Sequence, residues 1–75
     1  MHIDKEIDTS GLNCPLPILH AKRALSTMES GQTLQVTATD KGSLRDFKAF
    51  AQQTGNELLD QHTADNSYIH VLRRR

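Results

Sequence analysis

Apolar residues follow two different spacings along this 75-residue chain, and the order in which the spacings change constrains the fold. Between Thr33 and Thr39 the apolar residues alternate with polar ones, which is typical of a half-buried strand. In residues 15–30 and 43–54 they recur instead at helical spacing. One strand is therefore expected to lie between two helices.

Glycines and capping residues indicate where both helices begin and end. Gly31 and Gly55 follow the two helical segments, as expected of C′ glycines. Ser43 is the predicted N-cap of the second helix, with Asp46 in the capping-box position. The predicted apolar stripes are Ile18, Ala21, Ala24, Leu25 and Met28 on the first helix, and Leu44, Phe47, Phe50 and Ala51 on the second.

Three further short strands complete the predicted fold. They are expected at residues 3–9, 57–63 and 68–73, and a turn over residues 64–67 joins the last two. The order β-α-β-α-β-β predicts an α/β two-layer sandwich. Its mixed four-stranded sheet carries both helices on one face, because strand-helix-strand crossovers share one hand. A chain of this length has room for one core, so residues 1–75 are expected to form a single domain.

Composition excludes several classes of protein. The net charge is zero, so direct nucleic-acid binding is not expected, and Arg73, Arg74 and Arg75 are interpreted as a frayed, solvated end. A single cysteine excludes a disulfide-stapled scaffold, and no segment is apolar enough for a membrane span or a leader. The chain is therefore expected to be a cytoplasmic monomer without membrane association.

The single cysteine, Cys14, lies at the predicted start of the first helix, in the run Cys14-Pro15-Leu16-Pro17. Pro15 and Pro17 suit a first helical turn and stiffen it, and Gly11 gives the preceding loop its conformational freedom. With Cys14 as N-cap, its sulfur would accept a hydrogen bond from the Leu16 N–H, and the helix dipole would moderately favour the thiolate. The alternative is that Cys14 is a small apolar core residue.

A thiolate without a resident base suits sulfur-to-sulfur transfer. His20 lies elsewhere around the helix, so a cysteine–histidine dyad is not indicated. Accepting a persulfide needs only one cysteine, and no cofactor beyond a transient Cys14 persulfide is expected. A hairpin turn centred on Asn66 would place His62 and His70 opposite each other, but a pair without a third ligand is weak evidence, so no metal site is expected.

The residues around Cys14 resemble the TusA/SirA family of small sulfur-carrier proteins. The resemblance begins with an acidic residue, a glycine and Cys-Pro-x-Pro within residues 8–17 and continues through nearly the whole chain. It covers residues 30–34, 39–40, 45–50 and 54–59. The sequence departs from the family pattern at Leu16, where some members have an acidic residue, and at Lys41, where many have a proline.

The resemblance implies the same β-α-β-α-β-β sandwich and a function for Cys14. In the family, the motif cysteine takes up sulfane sulfur as a persulfide and passes it to an acceptor protein. The implied activity is that of a sulfurtransferase. The implied donor is a cysteine desulfurase or a rhodanese-like protein, and the implied pathways are tRNA thiolation, molybdenum-cofactor maturation or oxidative sulfur metabolism.

Two neighbouring groups of residues carry open alternatives. Leu12, Leu16 and Leu19, edged by Lys22 and Arg23, form either an apolar docking surface for an acidic partner or a cap on the sheet edge. Asp40, Arg45 and Asp46 are the second group, and they either take part in function or form a turn followed by a capped helix. Asp40 would then lie near Cys14, at the edge where the loops that follow parallel strands gather, but the turn is favoured. The alternatives to a sulfur carrier are a regulatory interaction module and a single-thiol redox sensor.

Overall fold

A computed structural model describes all 75 residues, and its elements follow the predicted order β-α-β-α-β-β. The strands are β1 (Lys5–Thr9), β2 (Thr33–Ala38), β3 (Glu57–Ala64) and β4 (Ser67–Arg73). The helices are α1 (Leu16–Ser26) and α2 (Ser43–Thr54). The strand bounds lie within a residue or two of the predicted ones, and α2 has the predicted bounds, whereas α1 is shorter than predicted.

The strands form one mixed sheet in the order β1-β2-β4-β3. β1 and β2 are parallel, and β4 runs antiparallel to both of its neighbours. α1 packs on β1 and β2, α2 packs on β3 and β4, and the helices contact one another. Both helices therefore cover the same face, which confirms the predicted two-layer sandwich. Because β1 and β2 are parallel, the loops that follow them emerge at the same edge of the sheet.

The core lies between the helices and this face of the sheet. The predicted stripes of both helices supply most of it, and Ile18 and Ala51 pack at its margin. The alternating residues of β2 face inward as predicted, and Ile7 of β1 lies beside Val36. The nine buried core residues are Ala21, Ala24, Leu25, Met28, Leu34, Val36, Phe47, Phe50 and Leu72.

A two-residue turn closes the hairpin of β3 and β4 and sets its register. Asp65 and Asn66 have φ values of 50° and 66°, the left-handed conformation that such tight hairpins need and that Asp and Asn tolerate. The register pairs His70 with Gln61, so His62 lies on the opposite face of the sheet from His70. The two histidines therefore do not face each other.

His70 instead joins three elements inside the fold. Its side chain is fully buried and its ring stacks on Phe47 of α2, with the ring centroids 4.4 Å apart. The Gln61 amide donates to Nδ1 over 3.0 Å, which leaves the ring proton on Nε2, 3.0 Å from the Ser43 hydroxyl. Burial lowers the pKa of His70 to about 4, because the charged imidazolium would lose its hydration.

The predicted end of α1 at Ser30, with Gly31 as its C′ glycine, was wrong. The helix ends at Ser26, where the Ser26 and Thr27 hydroxyls donate to the Arg23 and Ala24 carbonyls, at 2.6 and 2.8 Å. Such local side-chain bonds compete with continuation of the helix. Gly31 lies beyond the helix, at the entry to β2.

The predicted N-cap of α2 was also wrong. The helix begins at Ser43 and is capped by Gly42, and the Ser43 N–H donates to the Asp40 carbonyl at 3.0 Å. The Ser43 hydroxyl is taken by the buried His70 ring rather than by the helix end. A tertiary hydrogen bond to His70 thus takes the place of the predicted capping box, so Asp46 has no capping role.

The C-terminal arginines are ordered by contacts rather than frayed, so that prediction was wrong. Arg73 is the last residue of β4 and pairs with Glu57 at 3.2 Å. Arg74 Nε donates to the Leu25 carbonyl at 2.7 Å, near the end of α1. The Arg75 N–H donates to the Asn56 side chain at 2.9 Å.

Neither helix has both the length and the apolar character that crossing a bilayer would require.

Candidate functional site

The loop between β1 and α1 is held in shape by hydrogen bonds at its start. The Ser10 hydroxyl and N–H both donate to Asp8 Oδ1, at 2.6 and 3.0 Å, and these bonds lower the pKa of the Asp8 carboxyl. Gly11 follows with φ of +81°, a conformation that L side chains rarely adopt. Its N–H donates to the Thr39 hydroxyl at 2.9 Å, which ties this loop to the one that follows β2.

Cys14 is exposed at the end of this loop, and its peptide bond to Pro15 is cis. Pro15, rather than Cys14, occupies the N-cap of α1, and Pro17 is buried in the first turn. The Leu16 N–H donates to the Asn13 carbonyl at 2.8 Å. The predicted hydrogen bond from Leu16 to the sulfur is therefore absent, because a backbone carbonyl takes the donor. The exposure of Cys14 also excludes the alternative of a small core residue.

Two carboxylates converge on this end of the loop. The Cys14 N–H donates to Asp40 Oδ2 at 3.2 Å, so Asp40 does lie beside the cysteine, the alternative that the sequence favoured less. A β-carbon added at Gly42 would lie 3.4 Å from Asp40 Oδ2 and 3.8 Å from Asp46 Oδ2. The carboxylates thus meet over Gly42, at the edge where the parallel strands β1 and β2 end.

These acidic groups make Cys14 a weaker acid than an ordinary thiol. The main cause of its raised pKa is the Asp46 side chain, which interacts with the protonated thiol. Partial removal of the thiol from water and the negative charges of Asp46 and Asp40 act in the same direction, while Arg45 opposes them.

The predicted preference for the thiolate was therefore wrong. A helix N-terminus carries about half a positive charge, and nearby carboxylates carry a full negative charge each. Cys14 also precedes the N-cap instead of occupying it, so it lies outside the first turn. Sequence reasoning named Asp40 and Asp46 as alternative functional residues, but it missed the effect of these carboxylates on the pKa of the Cys14 thiol. The available signal was topological: loops that follow parallel strands meet at one edge of a sheet.

The residues predicted to contact a partner lie on and beside α1. Leu16 and Leu19 are 42% and 52% exposed and are large apolar side chains open to solvent. They are separated by one helical turn, and Arg23 follows one turn further along the same side. Leu12 is half-buried in the loop before the helix. These four residues, here called the docking patch, begin beside Cys14.

The chemistry available at this edge is that of a single accessible sulfur. No group of three histidine, cysteine, aspartate or glutamate side chains is arranged to hold a metal ion. Cys14 is the only cysteine in the chain, so a sulfur–sulfur bond formed at this site must involve another molecule. The exposed position gives such a molecule access.

Comparison with known proteins agrees with this architecture. The model of the family described as sulfurtransferase TusA matches residues 5–74. The chain is 54% identical over 71 residues to the sulfur carrier protein TusA of Allochromatium vinosum, covering 95% of this chain and 93% of the relative. It is 48% identical over 69 residues to a provisionally named sulfur carrier protein of Neisseria meningitidis serogroup A, with 92% and 93% covered.

A solved structure supports the same fold. The crystal structure of a SirA-like protein from Desulfitobacterium hafniense superposes with a TM-score of 0.82 at 25% identity, covering 92% of this chain and 95% of that one. The family match extends from β1 through β4, including the Cys14 loop and both helices. By fold and by sequence over nearly its whole length, this chain belongs to the TusA family of sulfur carriers.

Proposed function

We propose that this protein is a sulfurtransferase that relays sulfane sulfur as a persulfide on Cys14. The observation that carries the proposal is the exposed position of Cys14 on a loop held by hydrogen bonds from the backbone of Gly11 and Cys14. A fixed and accessible sulfur suits transfer between two proteins, since each partner must reach the same atom. The sulfur-carrier family to which the chain belongs supports this reading.

The transfer requires no oxidant or reductant. The sulfur of Cys14 attacks the terminal sulfur of a donor persulfide, a new sulfur–sulfur bond forms at Cys14, and the bond within the donor breaks. The donor leaves as a thiolate and takes up the proton that Cys14 loses. In the second step an acceptor thiolate attacks the terminal sulfur on Cys14, and Cys14 is released as a thiolate. The oxidation level of the transferred sulfur is unchanged throughout.

The electrostatics of the site argue against the redox-sensor alternative. Sensor cysteines react with oxidants as thiolates and are favoured by a low pKa. The acidic surroundings of Cys14 raise the pKa of this thiol. A thiol that remains protonated is protected from oxidation between transfers, which suits a carrier better than a sensor.

Intact-mass measurement tests the carrier function directly. Incubation with a cysteine desulfurase and free cysteine is expected to add one sulfur atom to the protein, and a reductant should remove it. Cys14→Ser should show no gain. The Allochromatium vinosum relative, which is named a sulfur carrier protein, is measured alongside for comparison. Failure of this protein to gain sulfur while the relative does so would favour a regulatory interaction module instead.

We further propose that the docking patch contacts the protein that donates or accepts the sulfur. Exposed Leu16 and Leu19 provide apolar area that excludes water, and Arg23 provides a positive rim that would steer an acidic partner. The patch adjoins Cys14, so a partner bound there has its own reactive sulfur close to the acceptor atom. A cysteine desulfurase or a rhodanese-like protein is the proposed donor class.

Leu19→Asp tests the docking patch. A charge placed at the centre of an apolar contact should slow sulfur uptake from the desulfurase by about tenfold, while uptake from a small-molecule persulfide remains unchanged. The matched control is Ala49→Asp, which adds the same charge to an exposed position on α2. Equal rates for both variants would contradict docking through this surface.

For the second transfer, only the chemical class of the sulfur acceptor is proposed. The acceptor is a protein thiol, and thiolation of tRNA, cofactor maturation and oxidative sulfur metabolism are the pathways that such a relay would feed. The persulfidated protein is immobilised on a resin, and a second resin carries Cys14→Ser as the control. A true acceptor should take up sulfur from the first resin only, and its identity distinguishes the pathways.

A further inference from the structure

A cleft with a cationic lining lies at the opposite end of the molecule from Cys14. It is enclosed by the second half of α1, the end of α2 and the last two residues of the chain, and its volume is about 200 Å³. Lys22, Arg74 and Arg75 contribute the charges, and Leu25 and Phe50 form the apolar floor. This cationic cleft plays no part in the sulfur chemistry described above.

No ion pair with an acidic side chain neutralises the positive charges of the cationic cleft. None of the residues that line it is acidic. The ion pairs of the molecule involve His2, His62 and Arg73, and none of the three cleft cations takes part in one. Arg73, the neighbour of Arg74 in sequence, differs from the three cleft cations because it lies outside the cleft and pairs with Glu57. Three like charges around one concave surface repel each other unless an anion joins them.

Hydrogen bonds hold two of the cations in place before any ligand arrives. Arg74 Nε donates to the Leu25 carbonyl at 2.7 Å, and Nη1 donates to the Arg75 backbone oxygen at 3.4 Å. The remaining N–H groups of the guanidinium are left for other partners. The Arg75 backbone is fixed by Asn56, and its side chain packs over Gly55, where an added β-carbon would lie 2.9 Å from Cδ. Side chains fixed in this way lose less conformational entropy when they bind a ligand.

The neutral polar groups of the cleft are already occupied. The Ser26 hydroxyl donates to the Arg23 carbonyl at 2.6 Å, and the Thr54 hydroxyl donates to the Phe50 carbonyl at 2.7 Å. The donors that remain are therefore those of the cations. A site that offers charged donors and no acidic acceptor selects an anion.

We propose that the cationic cleft binds a small phosphorylated molecule, with its phosphoryl group held between Lys22, Arg74 and Arg75. Guanidinium groups present paired N–H donors that match phosphoryl oxygens, and a dianion balances several cations at once. The apolar floor of Leu25 and Phe50 suits the flat face of a sugar or a base. The volume lies below the roughly 300–1,000 Å³ of pockets for drug-sized ligands, so the ligand is expected to be no larger than a mononucleotide.

Titration of the isotope-labelled protein with inorganic phosphate, and separately with adenosine monophosphate, tests the site by amide chemical shifts at low salt. Saturable shifts are expected at Asn56, Arg74 and Arg75, with Cys14 and its loop unaffected. Tighter binding of the nucleotide would assign a role to the apolar floor, and equal affinity would assign recognition to the phosphoryl group alone. Both results support the cationic cleft as a phosphoryl site.

Matched charge removals complete the test. Lys22→Gln and Arg75→Gln are each expected to weaken binding by about tenfold, because each removes a charged donor. Arg73→Gln removes the same charge next to the cleft and should leave the affinity unchanged. The amide spectra report in the same experiment that each variant is folded. The proposal is overturned by the absence of saturable shifts at millimolar ligand, or by an equal loss of affinity in the Arg73 variant.

Discussion

At the scale of single residues, the reactivity of Cys14 is set by side chains that are distant in sequence. Asp40, which lies 26 residues away, accepts the hydrogen bond from the Cys14 N–H, and Asp46 is the main cause of the raised thiol pKa. The site thus holds a sulfur that is accessible and yet mostly protonated. A donor surface that brings positive charge near the two carboxylates would lower the thiol pKa at the moment of transfer.

Asp46→Asn should lower the pKa of the Cys14 thiol. The variant removes the group that most favours the protonated form and also removes a negative charge. The rate of alkylation by iodoacetamide, measured across pH, is expected to reach half its maximum at lower pH and to be faster at neutral pH. Asp65→Asn, in the β3–β4 turn, is the control and should leave the profile unchanged. An identical profile for Asp46→Asn and the unmodified protein would refute this account of the site.

At the scale of elements, the loop between β1 and α1 depends on one backbone conformation. Gly11 adopts φ of +81° and is tied to the loop after β2 through Thr39. No atom lies within 4 Å of a β-carbon added at Gly11, so space does not restrict this position. The restriction comes from the backbone angle alone, because residues with a β-carbon adopt this angle at a cost of about 1–2 kcal/mol.

Gly11→Ala should therefore destabilise the protein by about 1 kcal/mol in urea denaturation. Asn13→Ala, an exposed position in the same loop without a positive φ, is the control and should have little effect. A slower uptake of sulfur is also expected in the glycine variant, because the loop that carries Cys14 shifts. Equal stability of the two variants would show that this loop adapts freely.

At the scale of the whole molecule, a net charge of zero conceals a separation of charge. Asp40 and Asp46 lie beside Cys14, whereas the cations of the cleft lie at the other end of the helices. His70 is the one titratable side chain among the buried residues, and it links β4 to α2 and β3 through satisfied hydrogen bonds. Its protonation should therefore affect the stability of the whole fold.

The free energy of unfolding is expected to fall as the pH is lowered from 6.5 to about 4. The upper limit is the ordinary pKa of histidine, and the lower limit is the pKa of His70 in the folded protein. The unfolded chain takes up a proton at this residue first, so the stabilisation is complete above pH 6.5 and is lost towards the folded pKa. The shift of the pKa from 6.5 to about 4 corresponds to a loss of roughly 3 kcal/mol in the free energy of unfolding.

Urea denaturation at several pH values measures this effect. His70→Phe keeps an aromatic ring against Phe47 but cannot titrate. This variant is expected to be less stable at neutral pH, because Ser43 and Gln61 lose their partner, and to lose most of the pH dependence. The same slope in both proteins would place the pH dependence elsewhere.

The order of the elements, the inward faces of both helices and of β2, and the loop that carries Cys14 could all be predicted from the sequence. Each is encoded by contacts between residues a few positions apart, such as the alternation in β2 or the stripe of α1. The end of α1 at Ser26 was missed, although the responsible hydroxyl bonds are also local, because propensity does not show which bonds form.

What only the tertiary structure decided is the environment of the groups that titrate. Cys14 meets Asp46 because parallel strands deliver two separate loops to one edge of the sheet. Ser43 meets His70 because α2 packs on β4. Electrostatic and hydrogen-bond energies depend on distances in space, which sequence spacing does not report. The sequence by itself therefore determined that an accessible cysteine lies just before α1, and the folded chain determined how acidic that cysteine is.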